Sequence, residues 1–294
     1  MISTAKLISK NLTTTHPPAL RLANEETNAR FEKYWSTEFH AHEERACHIA
    51  RPLAESNQRI LLCLPHQDDE VLGSFFFLQQ EAVRQQIDLL YITKGNRCKT
   101  ASLYSDITSV RMVESIKALE GIPIRNRYQW DFEDSQLKAS RAKLTQRLET
   151  LLSVERYDLV LSTAPNDLTP DHIILADVLL KLAQTGRLLF YRSTWATFGI
   201  GDADYIYTGD VAQKQVALNV FLSQSHMPLL MTLLYSAIES QRAGGPFAPV
   251  ELFIDGTKFL NTTATHSPTE LLRWKQAKDV PLSMRRLEIG EMSS

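Results

Sequence analysis

The segment Pro65-His66-Gln67-Asp68-Asp69-Glu70 sets an imidazole and two adjacent carboxylates on one short turn, directly after the apolar run Ile60-Leu61-Leu62-Cys63-Leu64. His66 and Asp69 offer a ring nitrogen and a carboxylate oxygen, a partial ligand set for zinc. A catalytic zinc takes one more protein ligand and leaves a position open for water. Asp68 is then free to act on that water. The plainer use of either aspartate is to cap the following helix and complement its dipole, and His66 alone would be an ordinary loop histidine. His172 is the candidate third ligand. It opens a helix after Pro165-Asn166-Asp167-Leu168-Thr169-Pro170-Asp171, at the tip of another strand. Capping is the plain reading there too, with Asp171 as cap and His172 merely following it.

These loops need elements to position them. Ile60–Leu64 is a short continuous apolar run, the pattern of a strand buried on both faces. Leu72 to Gln85 reads as a helix, Ile87 to Thr93 as a strand, and Ile107 to Leu119 as a helix closed by Gly121 and Pro123. Asn126 to Trp130 gives a third strand, Leu137 to Ser153 a helix, Tyr157 to Thr163 a fourth strand, His172 to Gln184 a helix and Arg187 to Trp195 a fifth strand. Strands alternating with helices imply an α/β fold, a Rossmann-like three-layer sandwich with a mostly parallel sheet and helices on both faces. In such sheets ligands bind beyond the carboxyl ends of the strands, which selects 65–70, 93–100 and 164–172. Residues 1–57 read as an N-terminal helical extension, with a helix or two over Asn28 to Leu53. Residues 58–294 read as the main domain, with Val250–Ile254 as a late edge strand and a loosely organised tail after Thr257.

The chain has 294 residues, 44% of them apolar, ample for a large core. A net charge of -2 argues against binding nucleic acid through bulk phosphate attraction and leaves small or neutral substrates open. Three cysteines, far apart, point to a reducing compartment rather than a disulfide framework. No apolar run reaches the roughly 20 residues that span a bilayer, and the first residues do not read as a secretory signal. The expectation is a cytoplasmic protein without stable membrane insertion, with self-association left open.

The segment Pro65–Glu70 resembles the Pro-His-Pro-Asp-Asp-Glu signature of the LmbE-like, or PIG-L, deacetylases. Arg111-Met112-Val113-Glu114 is similar to the family's Arg-x-x-Glu element, and Pro170-Asp171-His172 to the end of its His-Pro-Asp-His motif. Lys214 and Ser223-Gln224 are similar to its Lys and Ser-Gln element. The resemblance runs from about Arg59 to Gln224. It implies a zinc-dependent hydrolase, with one ion per chain, that removes N-acyl groups from N-acetylglucosamine conjugates or related amides. By that resemblance His66, Asp69 and His172 hold the metal, Asp68 is the general base and Arg111 lies in the pocket. Otherwise Arg111 is a helix-surface partner of Glu114 or Glu120.

Two positions depart from the pattern. Gln67 replaces a proline, with little chemical consequence expected. Thr169 stands where the family has the histidine thought to stabilise the oxyanion or protonate the leaving amine, and threonine cannot carry positive charge. Arg111, His226 and Tyr104 are the candidate substitutes. The gap keeps two alternatives in view: an amidase on another small amide or natural-product intermediate, and a metal-binding relative with weakened catalysis. Cys98 reads as a bystander thiol on the same rim. A dinucleotide-binding dehydrogenase is excluded because no Gly-x-Gly-x-x-Gly follows the first strand.

Overall fold

The computed structural model describes residues 50–260, apart from 183–186, 195, 197, 228 and 246, together with 6–7 and parts of 16–32. Eight strands form one sheet: β1 (Lys6–Leu7), β2 (Arg59–Leu64), β3 (Gln86–Thr93), β4 (Asn126–Phe132), β5 (Leu159–Thr163), β6 (Arg187–Tyr191), β7 (Tyr205–Thr208) and β8 (Val250–Asp255). The helices are α1 (Asp69–Glu81), α2 (Ile107–Ala118), α3 (Arg141–Val154), α4 (Pro170–Leu182), α5 (Val211–Asn219), α6 (Met231–Arg242) and the short α7 (Thr257–Leu260).

The spatial order is β1-β4-β3-β2-β5-β6-β8-β7. The strands from β4 through β6 pair in parallel. β2 is buried beyond its first residue. Because strand side chains alternate, Leu61 and Cys63 join the core that α3 and α4 cover, and Ile60, Leu62 and Leu64 face the other layer. The chain winds outward from β2 through β3 to β4, then returns to the opposite side of β2 for β5 and β6. The reversal falls between β2 and β5, and a crevice opens at the carboxyl ends of the strands at such a switch point. The segments leaving those two strands are the ones that carry His66, Asp69 and His172.

Several boundaries differ from the sequence reading. Helix α1 starts at Asp69 rather than Leu72. Strand β6 ends at Tyr191 instead of Trp195, because the chain turns away where the Ser193 hydroxyl bonds the Asp167 carboxylate. Trp195 itself lies outside the described residues. β8 is not an edge strand: it sits between β6 and β7, antiparallel to both, and β7 was not anticipated. The helix or two expected over Asn28 to Leu53 does not include 50–53, which are not helical; 33–49 lie outside the described residues. Arg51 forms an isolated bridge with Ile206, and Leu53 donates its N–H to the Tyr207 hydroxyl at 2.9 Å. The aromatics Tyr34, Trp35 and Phe39 and the tail after 260 lie outside the described residues. Packing divides the chain after Asn261. Among the described residues no helix is long and apolar enough to cross a membrane.

Candidate metal centre

The turn after β2 is folded back on itself. The His66 N–H donates to Asp69 Oδ2 at 2.9 Å, and the Asp68 N–H donates to Glu70 Oε2 at 3.0 Å. Asp68 sits at the cap position of α1 with φ 143°, a conformation that side-chain-bearing residues rarely adopt, and its side chain makes no capping bond. The capping reading of Asp68 therefore fails, and its carboxylate is turned to another use.

His66, Asp69 and His172 converge. Asp69 Oδ2 is 3.5 Å from His66 Nδ1, and Asp69 Oδ1 is 3.4 Å from His172 Nε2. One donor atom from each of the three residues lies within 4.8 Å of the other two. A tetrahedral zinc with bonds of about 2.0–2.2 Å keeps its ligand atoms roughly 3.3–3.6 Å apart, and the two spacings, each to a different oxygen of Asp69, fall in that range.

The remote nitrogen of each imidazole is held by a carboxylate. His172 Nδ1 meets Asp167 Oδ2 at 2.9 Å, and Asp167 is fixed in turn by the Thr169 N–H at 2.7 Å and by the Ser193 hydroxyl. His66 Nε2 lies 3.2 Å from Asp134 Oδ1 and 3.4 Å from Asp171 Oδ2. Asp171 is oriented by the N–H groups of Ser135 at 2.6 Å and Leu137 at 3.2 Å, so it does not cap α4 either. Carboxylates on the outer nitrogens are what fix the tautomer and aim of metal-binding histidines.

The charge balance points the same way. Asp68, Asp69, Asp134, Asp167 and Asp171 crowd around two imidazoles and the Arg111 guanidinium. Burial works against charge on His172, yet Asp69 and Asp167 push its pKa up to about 10. Burial opposes charge on His66 as well, and Asp134, Asp171 and Asp69 still raise it well above the usual histidine value. Burial would raise Asp69, but His172 and His66 hold it well below the usual carboxylate range. The pocket thus demands positive charge, which two protons or one divalent cation would supply on the same nitrogens.

Arg111 is only 3% exposed and lies against the turn after β2. Its Nη2 donates to the Gln67 carbonyl at 2.5 Å and lies 3.1 Å from Asp68 Oδ2, and its Nη1 reaches the Gly95 carbonyl at 3.2 Å. The alternative of a surface pair with Glu114 or Glu120 is excluded by that burial. Burial raises the Asp68 pKa to about 6, with Arg111 pulling it down and Asp69 pushing it up. Gln67 is fully buried, and its amide nitrogen donates to Gln129 Oε1 at 2.6 Å and the Thr93 carbonyl at 3.1 Å. Gly95 has φ +60°, and a Cβ there would sit 2.3 Å from Gln67 Oε1.

The other candidates are dispersed. Glu114 accepts from the Ser223 N–H at 2.7 Å and from its hydroxyl, which joins the Arg-x-x-Glu and Ser-Gln elements. Tyr104 bonds His16 Nδ1 at 3.1 Å, and that nitrogen lies 3.7 Å from Glu114. His226 is exposed, and burial, Lys99 and Arg111 all lower its pKa. Cys98 lies 3.4 Å from the Thr100 hydroxyl. Tyr104, Arg111 and Glu114 follow β3, whereas Thr169 follows β5 across the metal turn. Sequence reasoning missed Asp134, Asp167 and Asp171 as partners of the histidines. For Asp167 and Asp171 the only signal was their place beside His172.

A cluster of residues that could hold a metal ion, at the switch point of a parallel α/β sheet, is what fold and site define. Residues 61–183 match the family model described as PIG-L, GlcNAc-PI de-N-acetylase. No curated protein sequence matches the chain. Among solved structures it is similar to N,N'-diacetylchitobiose deacetylase from Pyrococcus horikoshii, at 17% identity and TM-score 0.56 over 71% of this chain and 88% of that one. It is also similar to the zinc-inhibited form of teicoplanin deacetylase Orf2, at 15% identity and TM-score 0.52 over 67% and 98%. The 4-carboxy-2-hydroxymuconate hydratase GalB of Pseudomonas putida shares the fold, at 17% identity and TM-score 0.52 over 67% and 95%.

Proposed function

We propose that the protein is a zinc-dependent hydrolase that removes an N-acyl group, an acetyl in the simplest case, from an amino-sugar conjugate. The observation that carries this is the trio His66, Asp69 and His172 with both outer ring nitrogens on carboxylates. A zinc ion held there would supply Lewis acidity toward an amide carbonyl and toward water at neutral pH. Asp68, the adjacent carboxylate outside the ligand set, takes a proton from the attacking water and returns one to the leaving nitrogen. Amide and water thus become carboxylic acid and amine. Arg111 fixes the direction of Asp68 through the 3.1 Å ion pair and the turn through the Gln67 carbonyl. Because its guanidinium is already engaged on two carbonyls and a carboxylate, Arg111 is a positioning group first. Two of the structural relatives are deacetylases, of N,N'-diacetylchitobiose and of teicoplanin, which supports the reaction class.

The test pairs metal analysis of purified protein with a free-amine release assay on N-acetylglucosaminyl compounds. Asp68→Asn is expected to lower kcat by about 10²–10⁴-fold while bound zinc is retained. Full turnover in that variant would end the mechanism. A second reading, hydrolysis of another small amide, is favoured by Thr169, whose backbone N–H is spent on Asp167 and whose side chain holds no proton-donating cation. Zinc bound with no release from amino-sugar amides, but release from other amides, would select it.

A further inference from the structure

Helix α1, which opens with Asp69, is not one helix. Ser74 has φ -144° and ψ 15°, outside the helical range. In an unbroken helix the Phe76 N–H would bond the Leu72 carbonyl four residues back. Here both halves of that bond are taken by side chains from far along the chain. The Phe76 N–H donates to Glu251 Oε1 at 3.0 Å and the Phe77 N–H to Glu251 Oε2 at 3.1 Å. The Leu72 carbonyl accepts from Lys214 Nζ at 3.1 Å. Lys214 Nζ also meets Glu251 Oε1, at 2.5 Å, so the ion pair is inserted into the backbone ladder. Lys214 is 3% exposed and Glu251 3%.

Sharp breaks in helices arise from proline, from Gly/Ser pairs or from an inserted side chain. Gly73-Ser74 supplies the weak point and the ion pair supplies the insertion. Gly73 is itself pinned to the sheet: a Cβ there would lie 2.3 Å from the Tyr191 ring and 3.2 Å from the Arg192 carbonyl. The first turn, Asp69 to Gly73, is therefore oriented separately from the rest of α1.

We infer that Lys214 and Glu251 are positioning residues for the metal turn: by holding the break at Ser74 they set the direction from which Asp69 faces His66 and His172. A pair kept only for stability behaves differently. Replacing a whole buried ion pair by apolar residues is often neutral or stabilising, and here it would also let the Phe76–Leu72 hydrogen bond re-form. Stability and site geometry thus part company.

The inference rests on the metal reading above, and zinc affinity of the full chain tests it, by competition with a chromophoric chelator. Lys214→Met/Glu251→Leu is expected to keep its urea midpoint near the wild-type value and to bind zinc at least about tenfold more weakly, the loss typical of disturbed support around ligands. Glu251→Gln keeps an oxygen for one of the two amides and turns its NH2 toward the other, so its affinity should fall, and by less than in the double variant. Unchanged affinity in the folded double variant overturns the inference, as does a loss in Glu251→Gln equal to that of the double. Should the double variant not fold, Lys214→Met alone carries the expectation of weaker zinc binding. If the wild-type chain binds no zinc, the proposed function fails. The inference is then decided on metal-free protein by backbone chemical shifts, which must change over 66–73 in the double variant. Changes confined to 74–77 overturn it.

Discussion

Asp167 touches no metal, yet it should be among the costliest residues to alter. It accepts from the Thr169 N–H at 2.7 Å, receives the Ser193 hydroxyl, and faces His172 Nδ1 at 2.9 Å. In Asp167→Asn one oxygen becomes an NH2 group. If the remaining oxygen stays with Thr169, the NH2 faces His172 and favours the tautomer protonated on Nε2, the nitrogen directed at Asp69. If the amide flips, two donors oppose each other at Thr169. Either outcome costs about 1–3 kcal/mol in an unsatisfied or misdirected buried hydrogen bond. Loss of an outer carboxylate typically weakens metal binding about 10–100-fold, which is roughly 1.4–2.7 kcal/mol, so the two estimates agree. The assay is zinc competition with a chromophoric chelator at fixed pH, with circular dichroism to establish that the variant is folded. A folded Asp167→Asn protein with the wild-type zinc Kd would refute the assignment of His172 Nε2 as a ligand nitrogen supported from Nδ1.

Burial raises the Glu114 pKa from 4.5 to about 7, against the Ser223 hydrogen bonds and Arg111. Between those values the folded chain keeps a proton that the unfolded chain has lost, so stability falls as pH rises through this window. Glu114→Gln should remove that slope, moving the variant's urea stability up relative to wild type by as much as about 3 kcal/mol between pH 4.5 and 8; equal slopes would count against it. Gly95→Ala, forced into φ +60° with its Cβ 2.8 Å from Arg111 Nη1, should lose about 1–3 kcal/mol in urea melts and lower kcat more than zinc affinity. Thr169→His should raise kcat on a hydrolysed amide by at least about tenfold if the leaving-group proton limits turnover, since a positioned acid contributes that much or more. An unchanged kcat would show that the leaving-group proton does not limit turnover.

The convergence of His66, Asp69 and His172 was legible because these residues sit where a simple topological rule sends them. Two segments leave adjacent parallel strands, one with His66 on the turn after β2, the other leading to His172 in the first turn of α4. The supporting carboxylates were harder to read. Asp171 looks like a helix cap in any linear reading, and only the amides of Ser135 and Leu137 show which way its side chain points. Asp134 comes from the loop after β4, two strands away from β2 and unmarked by any motif. The φ of Asp68 was invisible because no glycine announces it. Among the strands, the apolar runs of β2, β3 and β5 declared themselves, whereas β7, only Tyr205–Thr208, is too short to show a period. Glu251 looked like one residue of an edge strand. Its burial inside a broken helix depends on a contact with residues 174 and 175 positions away.

That contact bears on when the site can exist during synthesis. The family-matched stretch, 61–183, contains every proposed ligand. The residues that replace the missing Phe76–Leu72 bond are 214 and 251. A nascent chain released only as far as 183 holds His66, Asp69 and His172 but has nothing to fill the gap at Ser74, and α1 is free to run on straight. Long-range closure of this kind is slow, so under the proposed metal reading loading would be a late event, gated by arrival of β8 rather than by completion of the ligand set. A shortened chain ending at 183 should for the same reason make a poor zinc binder, however complete its motifs.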